Sequence, residues 1–101
     1  MQRVYLDNAA TTAIRPEVVD EMATVMKNVY GNPSSTHAFG REAKALIELS
    51  RKNIAQRLNV TPAEIYFTSC GTESNNNIIR SCVNDLDVTR IITSDMEHKC
   101  V

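Results

Sequence analysis

Apolar residues recur at helical spacing in three stretches of the chain. Val18, Val19, Met22, Val25, Met26 and Val29 fall on one side of a 3.6-residue period, and Pro16 stands just ahead of them. Proline suits the first turn of a helix, where its missing N–H costs no hydrogen bond. Gly31 supplies a stop signal after the last periodic position. A second helix is predicted from about Ala38 to about Asn59, with Ala43, Leu46, Ile47, Ser50, Ile54 and Leu58 as its inner stripe. Arg41, Glu42, Glu48, Arg51 and Lys52 lie mostly on its solvated side. A third follows the Cys70-Gly71-Thr72 turn, with Ile78, Ile79, Cys82 and Val83 on its buried face.

Between the helices the pattern changes. Residues 1–13 read as extended, with Val4 and Leu6 alternating with Tyr5 and Asp7. Gly31-Asn32-Pro33-Ser34-Ser35-Thr36-His37 is dense in turn formers and reads as an irregular loop. Thr61-Pro62-Ala63-Glu64 has capping-box spacing but room for only a short turn. Ile65–Thr68 and Val88–Thr93 are β-rich and flank the third helix. They predict a β-α-β unit, the building block of parallel sheets with a right-handed crossover. The fold class is therefore α/β: an extended N-terminus, two helices, then a β-α-β unit. Two parallel strands do not make a stable sheet, and Val101 follows another strand-to-loop transition, so the chain is expected to be a fragment of a larger protein.

Composition narrows the function. With 101 residues and a formal net charge of −1, the chain shows no basic stripe of the kind that nucleic acid requires. No apolar run reaches membrane-spanning length, and residues 1–12 lack a signal-peptide core. A cytoplasmic location is the default expectation. Cys70, Cys82 and Cys100 form no C-x-x-C pair, and His98, Cys100 and a distant Cys70 make a poor zinc set. Reduced thiols and no metal are expected.

The chemistry concentrates at two turns. A helix beginning directly after a strand offers free N–H groups and the positive end of its dipole, a ready phosphate site. Gly71 would let an anion approach closely, and Thr72 adds a hydroxyl. Glu73 is expected to turn its carboxylate away, and Asn75, Asn76 and Asn77 suggest a polar, hydrogen-bonding neighbourhood. An ordinary capped helix, with Ser69 or Thr72 as the cap, fits the same residues; a P-loop does not. His98 follows the second predicted strand. In parallel sheets ligands bind outside the carboxyl ends of the strands, which would bring Thr72 and His98 to one edge. A packed or surface histidine is the competing reading.

Four stretches taken together resemble the cysteine desulfurase branch of the class V aminotransferase-like enzymes. They are Tyr5–Thr12, then Gly31–Ser35 with His37 and Gly40-Arg41, then Phe67–Asn76, and last Thr93-Ser94 with Glu97-His98-Lys99. The resemblance implies the N-terminal piece of the pyridoxal-phosphate-dependent transferase (aspartate aminotransferase-like) fold. Residues 1–30 would belong to the small domain and residues 31–101 would begin the large cofactor-binding domain. It implies pyridoxal 5′-phosphate as cofactor, with Gly71 and Thr72 binding its phosphate and His98 stacking on its ring and assisting proton transfer. Asn8, Ala9 and Asn32 would lie near the active-site mouth.

The parent enzyme would convert L-cysteine to L-alanine and a protein persulfide, feeding iron-sulfur cluster or thio-cofactor synthesis. It would act as a homodimer with a sulfur-acceptor or scaffold protein. The Schiff-base lysine and the persulfide cysteine would lie beyond Val101, and Lys99 does not match that lysine. The chain alone is therefore expected to be inactive. Cys70 stands where the family usually has Gly, which raises the prospect of an unusual backbone dihedral. Ala13 replaces a common Pro, and Cys100 replaces a small residue and reads as a small buried hydrophobe. Selenocysteine lyase or another class V aminotransferase is the nearest alternative. A non-catalytic module that pairs through an unfinished sheet edge is a third.

Overall fold

The structure is a computed structural model that describes residues 2–101. Its regular elements are helix α1 (Pro16–Asn28), helix α2 (Ala38–Leu58), a 3-10 turn (Pro62–Glu64) and helix α3 (Gly71–Asp85). The chain divides into two compact units, the first ending at Pro62 and the second running from Ala63 to Val101. This division falls elsewhere than the 30/31 boundary expected for the domains of a whole enzyme. The two are different kinds of division.

In the first unit, α1 starts where Pro16 permits it, with Arg15 in extended conformation as N-cap. It stops at Asn28, two residues before the tyrosine that precedes Gly31. Its least exposed side chains are Ala23, Val25 and the adjoining Val29, while Met22 and Met26 face out. Helix α2 is capped at both ends by its own sequence. The His37 imidazole accepts from the Gly40 N–H at 3.4 Å, and Arg41 donates to the Thr36 carbonyl from its guanidinium. At the far end Asn59 takes the left-handed conformation (φ 55°, ψ 44°), and the Val60 N–H returns to the Ala55 carbonyl at 3.0 Å. Asparagine tolerates that region better than other non-glycine residues.

The inner stripe of α2 differs from the periodic expectation. Gly40, Ala43 and Ala55 are buried, whereas Ile47, Ile54 and Leu58 are exposed. Small residues lead because the 31–35 loop lies directly on the first turn of the helix. A Cβ built on Gly40 would meet the Ser35 carbonyl oxygen, the Asn32 carbonyl oxygen at 2.6 Å and the Ser35 Cβ at 2.7 Å. One on Gly31 would meet the backbone of Phe39. The Tyr30 and Phe39 rings stack across the same junction, 5.6 Å apart. Within the loop, Asn32 Oδ1 accepts from the Ser34 N–H at 2.9 Å and its carbonyl accepts from the Ser35 N–H at 2.9 Å. This is an Asx turn of the kind the residue types suggest.

Ahead of α1, the extended reading of residues 1–13 needs one correction. Residues 8–10 form a turn, closed by the Ala10 and Thr11 N–H groups on the Asp7 carbonyl at 3.1 and 3.3 Å. The Tyr5 hydroxyl meets Thr11 Oγ1 at 2.7 Å across it. Asn8 and Ala9 therefore sit at the tip of a turn.

In the second unit the predicted β-α-β arrangement is present only as its helix. Among the described residues no β-strand is formed, over 65–68 and 88–93 included. The reason is physical. A helix closes its hydrogen bonds on itself, but a strand exists only against a neighbour, and an isolated parallel pair lacks the further strands that stabilise a sheet. Tyr66 and Ile92 are accordingly 82% and 89% exposed. Helix α3 matches its expected buried face in part: Ile79 and Cys82 are half-buried, but Ile78 and Val83 are exposed, and Ser74 and Asn75 are half-buried beside them. That stripe begins with polar residues because it faces the chemistry described next.

Candidate functional site

The second unit places its polar chemistry at the start of α3 and at the 98–101 turn. Gly71 is the first residue of the helix, and Cys70, in extended conformation (φ −168°, ψ 171°), is the N-cap. Any residue adopts those angles, so cysteine in place of the family's glycine brings no backbone strain here. Neither Ser69 nor Thr72 caps the helix, and no side chain caps it from the N-cap position. A Cβ built on Gly71 would meet nothing within 4 Å. No protein atom therefore requires glycine at this position. A phosphate at this helix start would compete with the Cys70 thiol for the Thr72 and Glu73 amides.

Glu73 completes the turn from within. Its Oε2 accepts from both the Ser69 N–H and the Ser69 hydroxyl, each at 2.7 Å. The Ser69 N–H, followed by the Ser69 hydroxyl, holds this carboxyl below its usual range. Thr68 and Ser74 pair through their hydroxyls at 2.7 Å, and Ser74 Oγ also donates to the Cys70 carbonyl at 3.3 Å. Asn76 Nδ2 donates to the Thr72 carbonyl at 2.9 Å.

The Cys70 thiol is exposed and its pKa is lowered, first by the Glu73 backbone N–H and then by the Ser69 hydroxyl. The Thr72 amide and hydroxyl add smaller contributions. A lowered pKa means more thiolate at a given pH, and the thiolate is the reactive form. Cys82 and Cys100 are half-buried. Iodoacetamide at neutral pH is expected to label Cys70 ahead of the other two, as read by peptide mass spectrometry. Equal labelling of all three would contradict this picture of the turn.

The 98–101 turn is closed by the Val101 N–H on the His98 carbonyl at 2.9 Å. Its side chains reach α3. Asn75 Nδ2 lies 3.0 Å from Cys100 Sγ, Cys100 Sγ lies 3.1 Å from His98 Nδ1, and the Cys100 N–H donates to the same Nδ1 at 3.3 Å. The helix that begins with Gly71 and Thr72 is thus tied, one turn along, to the residues around His98. Ser94 Oγ also donates to Glu97 Oε1 at 3.3 Å in the approach to the turn.

Two of these residues escaped the sequence reading. Cys100 is a polar partner here and not a small hydrophobe, and Asn75 had no assigned partner. The polar Asn75–Asn77 run was the one available signal. Asn8, Ala9 and Asn32 belong to the first unit.

A shallow groove of about 570 Å³ runs beside α3, lined by Glu64, Tyr66, Thr68, Ser74, Asn77, Ile78 and Ser81. It includes neither Gly71, Thr72 nor His98, and its lining carries no cation to hold an anion. Among the described residues no group of three or more His, Cys, Asp or Glu side chains could hold a metal ion. No helix of the described chain is long and apolar enough to cross a membrane.

Comparisons with known proteins cover nearly the whole chain. The family model for aminotransferase class-V matches residues 4–101. The chain is 47% identical over 102 residues to the cysteine desulfurase IscS of Dictyoglomus turgidum, covering 99% of this chain and 26% of that protein. It is 42% identical over 102 residues to a cysteine desulfurase of Trichormus azollae, again 26% of the relative's length. Selenocysteine lyase of Bos taurus is 45% identical over 82 residues, which are 81% of this chain and 19% of that protein. Among solved structures, a NifS-like protein superposes with a TM-score of 0.86 at 42% identity, covering 98% of this chain and 28% of the other. The chain spans about a quarter of the length of the curated relatives it matches.

Proposed function

This chain belongs to the class-V aminotransferase family, and on that premise we propose that it is the N-terminal part of a pyridoxal-phosphate-dependent cysteine desulfurase. The observation that carries the proposal is the start of α3. Helix α3 begins at Gly71, whose Cβ position is unobstructed, with Thr72 next to it, and Asn75 ties the same helix to the His98 turn. The names of the relatives select the chemistry: cysteine desulfurases are among the most similar proteins, at 42–47% identity over nearly the whole chain. Selenocysteine lyase, over a shorter stretch, is the second reading. The two substrates differ by sulfur against selenium, and no residue described here distinguishes them.

In this reading the Gly71 and Thr72 N–H groups and the Thr72 hydroxyl bind the cofactor phosphate, helped by the helix dipole. His98 orients the cofactor ring and moves a proton during turnover. Pyridoxal 5′-phosphate, when bound, supplies the electron sink for cleavage at the substrate's carbon–sulfur bond. Asn8, Ala9 and Asn32 line the mouth of the site. Residues 1–30 belong to the small domain and 31–101 open the large one, whose remaining strands and helices cover the exposed apolar side chains of this chain. The parent protein acts in the cytoplasm as a homodimer and passes sulfur from L-cysteine to an acceptor or scaffold protein for iron-sulfur cluster or thio-cofactor synthesis. By itself the chain forms no alanine.

The test is Thr72→Ala in the full-length protein. Loss of a hydrogen bond to a charged group costs about 1.5–3 kcal/mol. Affinity for pyridoxal phosphate should therefore fall by about one to two orders of magnitude, measured by equilibrium dialysis and by cofactor absorbance. Bound cofactor should also shield Cys70 from iodoacetamide. Unchanged affinity together with unshielded Cys70 would place the phosphate elsewhere.

A further inference from the structure

The cluster of Asn75, Cys100 and His98 has a direction. A backbone N–H can only donate, so the 3.3 Å bond from the Cys100 N–H makes His98 Nδ1 an acceptor. The thiol 3.1 Å from the same nitrogen must then donate as well, since an unprotonated Nδ1 offers it nothing to accept. The Asn75 amide donates to that sulfur from helix α3 at 3.0 Å. The polarity runs one way, from the amide of Asn75 through the thiol of Cys100 to the imidazole of His98, and each bond in such a chain polarises the next.

We propose that Asn75 and Cys100 are positioning residues that hold neutral His98 in its Nε2–H tautomer and fix its ring against α3. The identity of the protonated nitrogen in a histidine is set by the hydrogen bond its other nitrogen makes. With Nδ1 engaged by two donors from Cys100, the single ring proton resides on Nε2. His98 therefore meets any ligand as a hydrogen-bond donor at Nε2, and it can hand that proton on only if Nδ1 takes the Cys100 thiol proton in exchange, leaving a thiolate. The turn makes this possible, because the Val101 N–H to His98 carbonyl bond folds Cys100 back toward Nδ1. The proposal rests on the reading of His98 as the residue that moves a proton. It also gives a function to Cys100, which that reading leaves idle.

Histidine ring ¹⁵N spectroscopy of the full-length protein reads the tautomer directly. Spectra are taken in the resting state at about pH 7.5, above the ordinary histidine value of about 6.5 and below the ordinary thiol value of about 8.5, with His98 assigned by its loss in His98→Gln. His37 serves as internal control, its Nδ1 accepting from the Gly40 N–H. The wild-type protein should show Nδ1 unprotonated and Nε2 protonated. Cys100→Ala removes the thiol, and Asn75→Asp replaces the donor to sulfur by an acceptor that draws the thiol proton away. Each should lower the Nε2–H to Nδ1–H ratio by about three- to tenfold, the equilibrium worth of roughly one hydrogen bond. Cys100→Ser, which keeps a donor, should restore it.

A protonated Nδ1 in the wild-type protein, or a ratio that ignores both Cys100→Ala and Asn75→Asp, would overturn the proposal. Because the spectra need neither cofactor nor turnover, failure here is separable from failure of the functional reading. A fixed tautomer in a protein whose turnover survives His98→Gln would refute the proton-transfer role and leave the hydrogen-bond chain standing.

Discussion

Replacing His98 by alanine in the full-length protein is expected to lower alanine formation from L-cysteine by about 10²–10⁴-fold, the usual worth of a positioned acid–base group. The loss should fall on kcat more than on KM, because the imidazole contributes most while the proton is moving. Cofactor binding should weaken less than in Thr72→Ala, since the phosphate contacts proposed for Gly71 and Thr72 would stay in place. Steady-state kinetics with cofactor absorbance as a loading control separates the two effects. If the loaded His98→Ala protein turned over at the wild-type rate, His98 would be a packing residue held by Cys100, the bland reading its sequence context also permits.

The second large effect concerns stability. Gly40→Ala is expected to destabilise the chain by about 1–3 kcal/mol, the typical cost of overpacking. Glycine inside a helix ordinarily costs about 1 kcal/mol relative to alanine, so an unencumbered position would respond with the opposite sign. Gly40 is encumbered. The atoms its Cβ would meet are mostly backbone, the carbonyl oxygens of Asn32 and Ser35, and those cannot rotate away. Relief requires moving the 31–35 loop, which carries the Asx turn at Asn32 and leads into the His37 cap. Urea denaturation of the variant reads the sign. A stabilised Gly40→Ala protein would show that the loop does not pack on α2 as described.

The helices were legible in the sequence because their determinants are local. Pro16 fixes the start of α1, and the Leu58–Asn59 step ends α2 within a residue of the expected place. Which face each helix buries was less legible. The period of apolar residues correctly included Ala43, but it also pointed to Ile47, Ile54 and Leu58, which are exposed, and passed over Gly40 and Ala55, which are buried. Close approach selects small side chains, and a hydrophobicity pattern does not register them.

The β-α-β unit is represented among the described residues by its helix alone, for a different reason. Val88–Thr93 has the composition of a strand, but a strand is a property of two segments, and composition describes one. The site divides along the same line. Gly71 and Thr72 were legible as a helix start. The Asn75–Cys100 contact joins residues 25 positions apart, and nothing in the spacing of an asparagine and a cysteine encodes it.

The absence of a formed sheet beside complete helices also bears on the order of folding. Helices α1, α2 and α3 close bonds within four residues and can form on roughly the microsecond scale. Pairing Ile65–Thr68 with Val88–Thr93 would require closing a loop that contains the whole of α3, and loop-closure entropy must be met before any such contact rewards it. During synthesis, then, the first turn of α3 can take shape as soon as its own residues leave the ribosome. On the proposed function, cofactor capture would then wait on residues that pack late and not on the readiness of the Gly71–Thr72 turn.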